Sequence, residues 1–369
     1  MVADNSSGGR YIFLDYIRAA AAWLVVWDHL GTIMPGWAGK VFPAAQWVRN
    51  NITEPLGIIQ DFGWFGVALF FLISGFIISD RARVEGVVQF TVRRVLRIYP
   101  MLAVAVLLSA AFVAAKDQVT ARNVLLNMTL ANYLIIPQVA LLGVAWTLVI
   151  EVLFYALTAL TQLMRESPHR IAFNLAFAAF AIWKRGAFGG SFTLLAVSAA
   201  YLPVLVMGQT IYWWLARKRL GAPMALVYLA AAYAVFLWGV RAIQPAFLPA
   251  TNSYVISVAY AAFLFCGLIH ARLPNLRIVR FLSDTSYSVY LLHGIVGLLV
   301  LKALLPILPL WAAILASAAA ALAAAVAAFH LVERPFQKLG RYLTRRRPEA
   351  GAADAKVLKV SDELPTSAG

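Results

Sequence analysis

Arg18 and His29 stand eleven residues apart in an apolar stretch, Tyr11–Met34, that also holds Asp15 and Asp28. Polar groups at bilayer depth are costly and tend to mark working sites. On a helix turning about 100° per residue, Arg18 and His29 project within roughly 20° of each other, about 16 Å apart along the axis. Asp15 joins that stripe, and Asp28 points elsewhere. The stretch reads as one wall of a chemical site.

Four further constellations carry polar chemistry. Arg94 and Arg97, within Arg93-Arg94-Val95-Leu96-Arg97-Ile98-Tyr99-Pro100, share a helical face and offer two forked cations suited to phosphate; a positive-inside anchor is the plainer reading. Thr147, Glu151 and Tyr155 recur every four residues after Trp146 and line one stripe. An intramembrane Glu must be neutral, paired across helices or facing water, and a structural hydrogen bond would satisfy it equally. In the run Ser283–His293, Ser283 or Asp284 is a suitable N-cap and His293 lies near mid-depth, either as a site residue or as an interhelix contact. Glu333-Arg334-Pro335 closes the last apolar run, with Pro335 expected to end the helix and Glu333 to pair with a nearby arginine.

The elements that must position these groups follow from composition. The chain has 369 residues, 62% of them hydrophobic and 13% charged, with mean hydropathy +0.79, which describes an all-α, polytopic membrane protein rather than a soluble domain. Runs long enough to cross a core of about 30 Å fall at 12–34, 62–80, 97–115, 141–164, 171–184, 192–214, 224–240, 255–271, 284–304 and 309–332, about ten helices with the fifth shortest. The first is read as a retained span, not a cleaved leader.

Arginines concentrate in alternate connections, at Arg81–Arg97, Arg165–Arg170, Arg217–Arg219 and Arg272–Arg280, which puts both termini in the cytoplasm. The net charge of +15 follows this topology and the pull of anionic headgroups, and no compact domain presents it to nucleic acid. Three segments result: a cytoplasmic stretch 1–10, a membrane domain 11–336, and a basic tail 337–369 expected to be disordered. The single cysteine, Cys266, excludes an intrachain disulfide, and no metal-ligand spacing is present.

Taken in order, these motifs resemble the membrane acyltransferase family 3. They are Leu14-Asp15-Tyr16-Ile17-Arg18 with His29, Phe71-Leu72-Ile73-Ser74-Gly75-Phe76, Arg94-x-x-Arg97 with Pro100, Trp146-Thr147-x-x-x-Glu151, Ser286-Tyr287-Ser288-Val289-Tyr290-Leu291-Leu292-His293, and Glu333-x-Pro335. The resemblance runs from Tyr11 to Phe336. Where the family usually has Asp-Gly-x-Arg-Gly, this chain has Asp15-Tyr16-Ile17-Arg18-Ala19, and Asp28 precedes the histidine. No hydrolase-like domain is expected after Phe336.

The resemblance implies an enzyme of the bacterial cytoplasmic membrane, an O-acyltransferase moving acetyl from cytoplasmic acetyl-CoA to a hydroxyl of a cell-envelope or secreted glycan such as a polysaccharide. It implies acyl-CoA and the acceptor as partners and no permanently bound cofactor. On that reading His29 is the general base, with a transient acyl-histidine as the less favoured variant, and Glu151 orients His29 or a substrate hydroxyl. Arg94 and Arg97 hold CoA phosphates. Arg18 pairs with Asp15 or guides the pantetheine arm, and Ser74, Trp146, Thr147, Tyr155, His293 and Glu333 shape the site. The competing reading is a secondary transporter or glycan flippase, weakened by the lack of an internal repeat or of matching broken helices in two halves. A non-catalytic sensor or assembly subunit is the third.

Overall fold

Residues 6–7, 10–58, 62–162, 169–243 and 248–344 are described by the computed structural model. The chain is all-α and crosses the membrane many times. A ladder of Ser6–Ser7 against Arg10–Tyr11 leads into α1 (Ile12–Trp27), which continues without a break through a π turn, Asp28–Ile33, into α2 (Met34–Trp37). Then come α3 (Pro43–Val48), α4 (Gly63–Val84), α5 (Val87–Phe112), α6 (Ala121–Met128) and α7 (Trp146–Thr161). The following elements are α8 (His169–Trp183), α9 (Gly190–Ala199), α10 (Leu202–Ile211), α11 (Ala222–Ile243) and α12 (Leu248–Leu268). A long α13 (Arg277–Leu304), α14 (Leu310–Ala328), a π turn at Phe329–Glu333 and α15 (Arg334–Leu343) complete it.

Among the described residues each of the ten apolar runs is largely helical, the sixth being divided by a turn at Ala200–Tyr201, and seven helices are long and apolar enough to cross a membrane. Their bounds differ from hydropathy where polar residues extend a helix past its apolar centre. Thus α5 begins at Val87, ten residues before the expected start, so Arg94 and Arg97 lie in its interior; α13 begins at Arg277, so neither Ser283 nor Asp284 is its N-cap.

Pro335 does not end its helix either. A proline cannot donate to the carbonyl four residues back, and the chain accommodates both Pro35 and Pro335 by widening into a π turn just before each. The helix then resumes as α15, so 337–343 is helical rather than tail. Residues 345–369, like most of the 1–10 segment and Arg165, lie outside the described residues.

Helix α4 is central, packed by α1, α7, α10 and α12, while α13 joins α1 to α14. Gly75 on α4 and Gly208 on α10 face each other's backbone: a Cβ on Gly75 would collide with the Leu205 carbonyl, and one on Gly208 with that of Leu72. Close approach through small residues is how helices bind each other in lipid, where apolar side chains gain nothing by leaving the hydrocarbon. Gly66 meets α1 in the same way, with the Ala21 carbonyl 2.7 Å from where its Cβ would stand.

Candidate active site

The site begins at the arginine-rich end of α1. Arg10 donates two hydrogen bonds of 2.6 Å to Asp15 and one of 2.7 Å to Asp284, and Ser283 donates to Asp15 at 2.8 Å. This network ties the start of α1 to α13. The hydrogen bonds that Arg10 donates to Asp15 hold its guanidinium even more firmly charged than usual. The expected Arg18–Asp15 pair is therefore replaced: Asp15 is taken by Arg10 and Ser283, and Arg18 reaches only Ser283, at 3.5 Å.

Arg18 turns instead into a cavity of about 760 Å³ with Arg94 and Arg97 of α5. Ser74 from α4, Thr147, Glu151 and Tyr155 from α7, and Ser286, Tyr287 and Tyr290 from α13 complete its polar lining. Glu151 accepts hydrogen bonds from Ser74 Oγ at 3.1 Å and from the Tyr155 hydroxyl one turn along. The carboxylate is thus anchored in the arginine cavity, and orientation of His29 by Glu151 is not what these bonds provide. Arg94 lies 3.6 Å from Glu85 and over the Phe90 ring. Among the described residues, Arg18 and Arg97 form no ion pair. Three guanidinium groups around one carboxylate leave an excess of positive charge, the requirement for binding a phosphorylated group.

A second cavity, of about 850 Å³, opens beside the first and shares Arg18, Ile77, Arg94 and Arg97 with it. Arg10, Asp15, Asp80 and Arg81 line its far side.

A third cavity, of about 1200 Å³, holds His29 and adjoins the first through their common walls, Val67 and Tyr290. His29 Nδ1 lies 2.9 Å from the Val25 carbonyl, and His293 Nδ1 3.1 Å from that of Val289. A carbonyl can only accept, so in each neutral ring the proton sits on Nδ1 and Nε2 carries the lone pair. The two imidazoles meet edge to face with centroids 4.9 Å apart, and His293 Nε2 is buried with no hydrogen-bond partner. Asp28 lines the same cavity as His29, contrary to its expected direction. A π turn rotates less per residue than an α turn, which keeps neighbours in register toward one side. The Asp28 carboxylate abuts Gly63 so closely that a Cβ there would collide with it, which sets the charge against the first turn of α4, where unpaired N–H groups favour an anion.

The remaining candidates divide between cavity and scaffold. Trp146 lines the His29 cavity and stacks on Trp64, centroids 5.9 Å apart. Thr147 bonds the Tyr290 hydroxyl at 2.9 Å. Glu333 accepts from Ser288 at 2.7 Å and Gln337 at 3.0 Å rather than pairing with an arginine, and so links α13 to α15. Sequence patterns left Arg10, Trp64, Tyr201, Tyr254 and Tyr290 out of the site. Trp64 and Tyr201 stand at helix starts, where an interfacial belt is the default reading, whereas Tyr290 lies in the middle of α13. Among the described residues no cluster of His, Cys, Asp or Glu could hold a metal ion.

An acyltransferase domain family matches residues 11–330. Nodulation protein 10 of Rhizobium leguminosarum bv. viciae is 25% identical over 332 residues, covering 79% of this chain and 84% of its own length. No solved structure matches.

Proposed function

The chain belongs to the membrane acyltransferase family 3, and from that premise we propose that it moves acetyl from cytoplasmic acetyl-CoA to a hydroxyl of a cell-envelope or secreted glycan at the bacterial cytoplasmic membrane. The observation that carries this reading is the series of adjoining cavities. They run from Arg10 and Arg81, past Arg18, Arg94 and Arg97, to His29.

The donor's phosphates dock on the guanidinium cluster, where a forked cation matches a phosphate geometrically. Its arm extends past Ser74 and Glu151 toward Val67 and Tyr290. Arg18 and His29 are separated by eleven residues of one helix, about 16 Å of rise, so the arm and not the nucleotide spans the interval. The acceptor occupies the His29 cavity. His29 Nε2 takes the hydroxyl proton as the oxygen attacks the thioester carbon; the C–O bond forms, the C–S bond breaks, and the proton passes to the leaving thiolate. Holding both substrates at the junction supplies the positional advantage a hydroxyl nucleophile needs. The Val25 carbonyl, not a carboxylate, fixes the tautomer of the base.

The test is transfer of labelled acetyl from acetyl-CoA by the purified chain to extracted envelope glycans. His29→Ala is expected to lower transfer at least about 100-fold with its melting temperature unchanged. Transfer at the original rate by this variant would remove the base and with it the proposed chemistry.

A further inference from the structure

The three cavities differ in electrical character. The inner pair is lined by Arg10, Arg18, Arg81, Arg94 and Arg97 against Asp15, Asp80 and Glu151, a net positive lining. Around the His29 cavity, no lysine or arginine occurs among the described lining residues, and its charged group is the carboxylate of Asp28. Six aromatic residues also line it: Trp64, Tyr133, Trp146, Tyr201, Tyr254 and Tyr290.

Four of these form a continuous wall. Trp64 is parallel to Trp146, with a 13° interplanar angle, and Tyr201 closes on both with centroids 5.3 and 5.4 Å away. Tyr254 lies 4.8 Å from Trp64, whose Nε1 is fixed by the Tyr254 carbonyl at 3.0 Å. Trp64 is buried against both Trp146 and Phe236, whose ring lies parallel to it at 6.3 Å. The face left to the cavity is therefore that of the half-buried Trp146, a flat apolar surface with a negative quadrupole on which the C–H face of a sugar ring stacks and a nearby anion is repelled. The first turn of α4, whose helix dipole favours an anion, is already occupied by the chain's own Asp28. A carboxylate or phosphate on the acceptor would face Asp28 with no cation to receive it, in surroundings of low dielectric where like charges repel strongly.

We infer that the acceptor is a saccharide without acidic groups on the ring that enters the cavity, stacked on Trp146, which Trp64 and Tyr201 hold in place, and that Asp28 excludes acidic sugars. This rests on reading the His29 cavity as the acceptor site, and binding measurements separate the two. The full-length protein in lipid nanodiscs is titrated with neutral glucose oligomers and with glucuronate oligomers of equal length, in the absence of acetyl-CoA. The neutral series is expected to bind at least tenfold more tightly. Asp28→Asn is expected to narrow that ratio by raising glucuronate affinity, and Trp146→Ala to weaken the neutral oligomers tenfold or more.

Equal or tighter binding of glucuronate by the wild-type chain would overturn the inference, as would binding of neither series. The wild-type comparison needs no variant to fold. Selective binding with no acetyl transfer to any glycan would instead leave this inference standing and remove the transferase step.

Discussion

A histidine whose Nδ1 faces a backbone carbonyl has its tautomer chosen by the main chain. For His29 and His293 that choice is made by the carbonyls four residues earlier, so the helix delivers a basic Nε2 with no carboxylate partner. With His29 as the proposed base, the edge-to-face contact makes His293 a positioning residue that limits where the His29 ring can turn. His293→Gln is expected to lower kcat by about tenfold, less than a general base supplies, with KM for acetyl-CoA unchanged. A KM effect without a kcat effect would place His293 in donor binding instead. At the inner end, Asp15 serves as an anchor, and Asp15→Ala leaves Arg10 and Ser283 without their shared acceptor. Arg10 is about a third exposed, which screens the pair, so a loss of about 1–2 kcal/mol is expected in thermal unfolding. Individual residues were legible in the sequence to the extent that an intramembrane charge has few uses, which is how Arg18, His29 and Glu151 stood out. Their partners were not legible. Whether Glu151 meets His29 or Ser74 depends on how α4 and α7 pack, and Asp28 joins His29 on one cavity where the helix widens into a π turn before Pro35, which hydropathy does not show.

At the scale of the element, hydropathy located the seven long apolar helices of the described residues but not the helix ends. An apolar run stops where charges begin, whereas the helix continues through them, as α5 does through Arg93, Arg94 and Arg97. That continuation carries the two cavity arginines on one rigid element. The crossing of α4 and α10 positions Ser74, and it depends on two glycines whose added Cβ would meet carbonyl oxygens that cannot move aside. Gly75→Val is therefore expected to abolish a monodisperse folded protein on detergent size exclusion, since overpacking against backbone costs at least about 1–3 kcal/mol. Gly267 lies in the last turn of α12, one residue from its end, with nothing within 4 Å of its would-be Cβ. Gly267→Ala is expected to raise the melting temperature slightly, by the reduced backbone freedom of alanine, about 0.5–1 kcal/mol. Loss of folding in both variants alike would mean that helix flexibility, not close contact, explains Gly75.

For the whole molecule, one claim joins the cavities to the cell: the arginine-lined end must face the compartment that holds the thioester. Donor binding at Arg18, Arg94 and Arg97 supplies acetyl only if the vestibule lined by Arg10 and Arg81 opens to the cytoplasm. The distribution of arginines predicts the same orientation on independent grounds, because the connections that carry them are retained on the inner side during insertion. Cys266, the chain's single cysteine, makes this measurable. In a Cys266→Ser background, Asp117→Cys and Ile307→Cys lie in exposed loops at one end, and Arg219→Cys and Arg272→Cys in exposed loops at the other. A membrane-impermeant maleimide added to intact cells is expected to label the first pair and to reach the second only after permeabilisation. The reverse pattern would point the guanidinium cluster away from the cytoplasm, where no acyl-CoA could reach it, and the cavity series would then lose its reading as a path for acetyl.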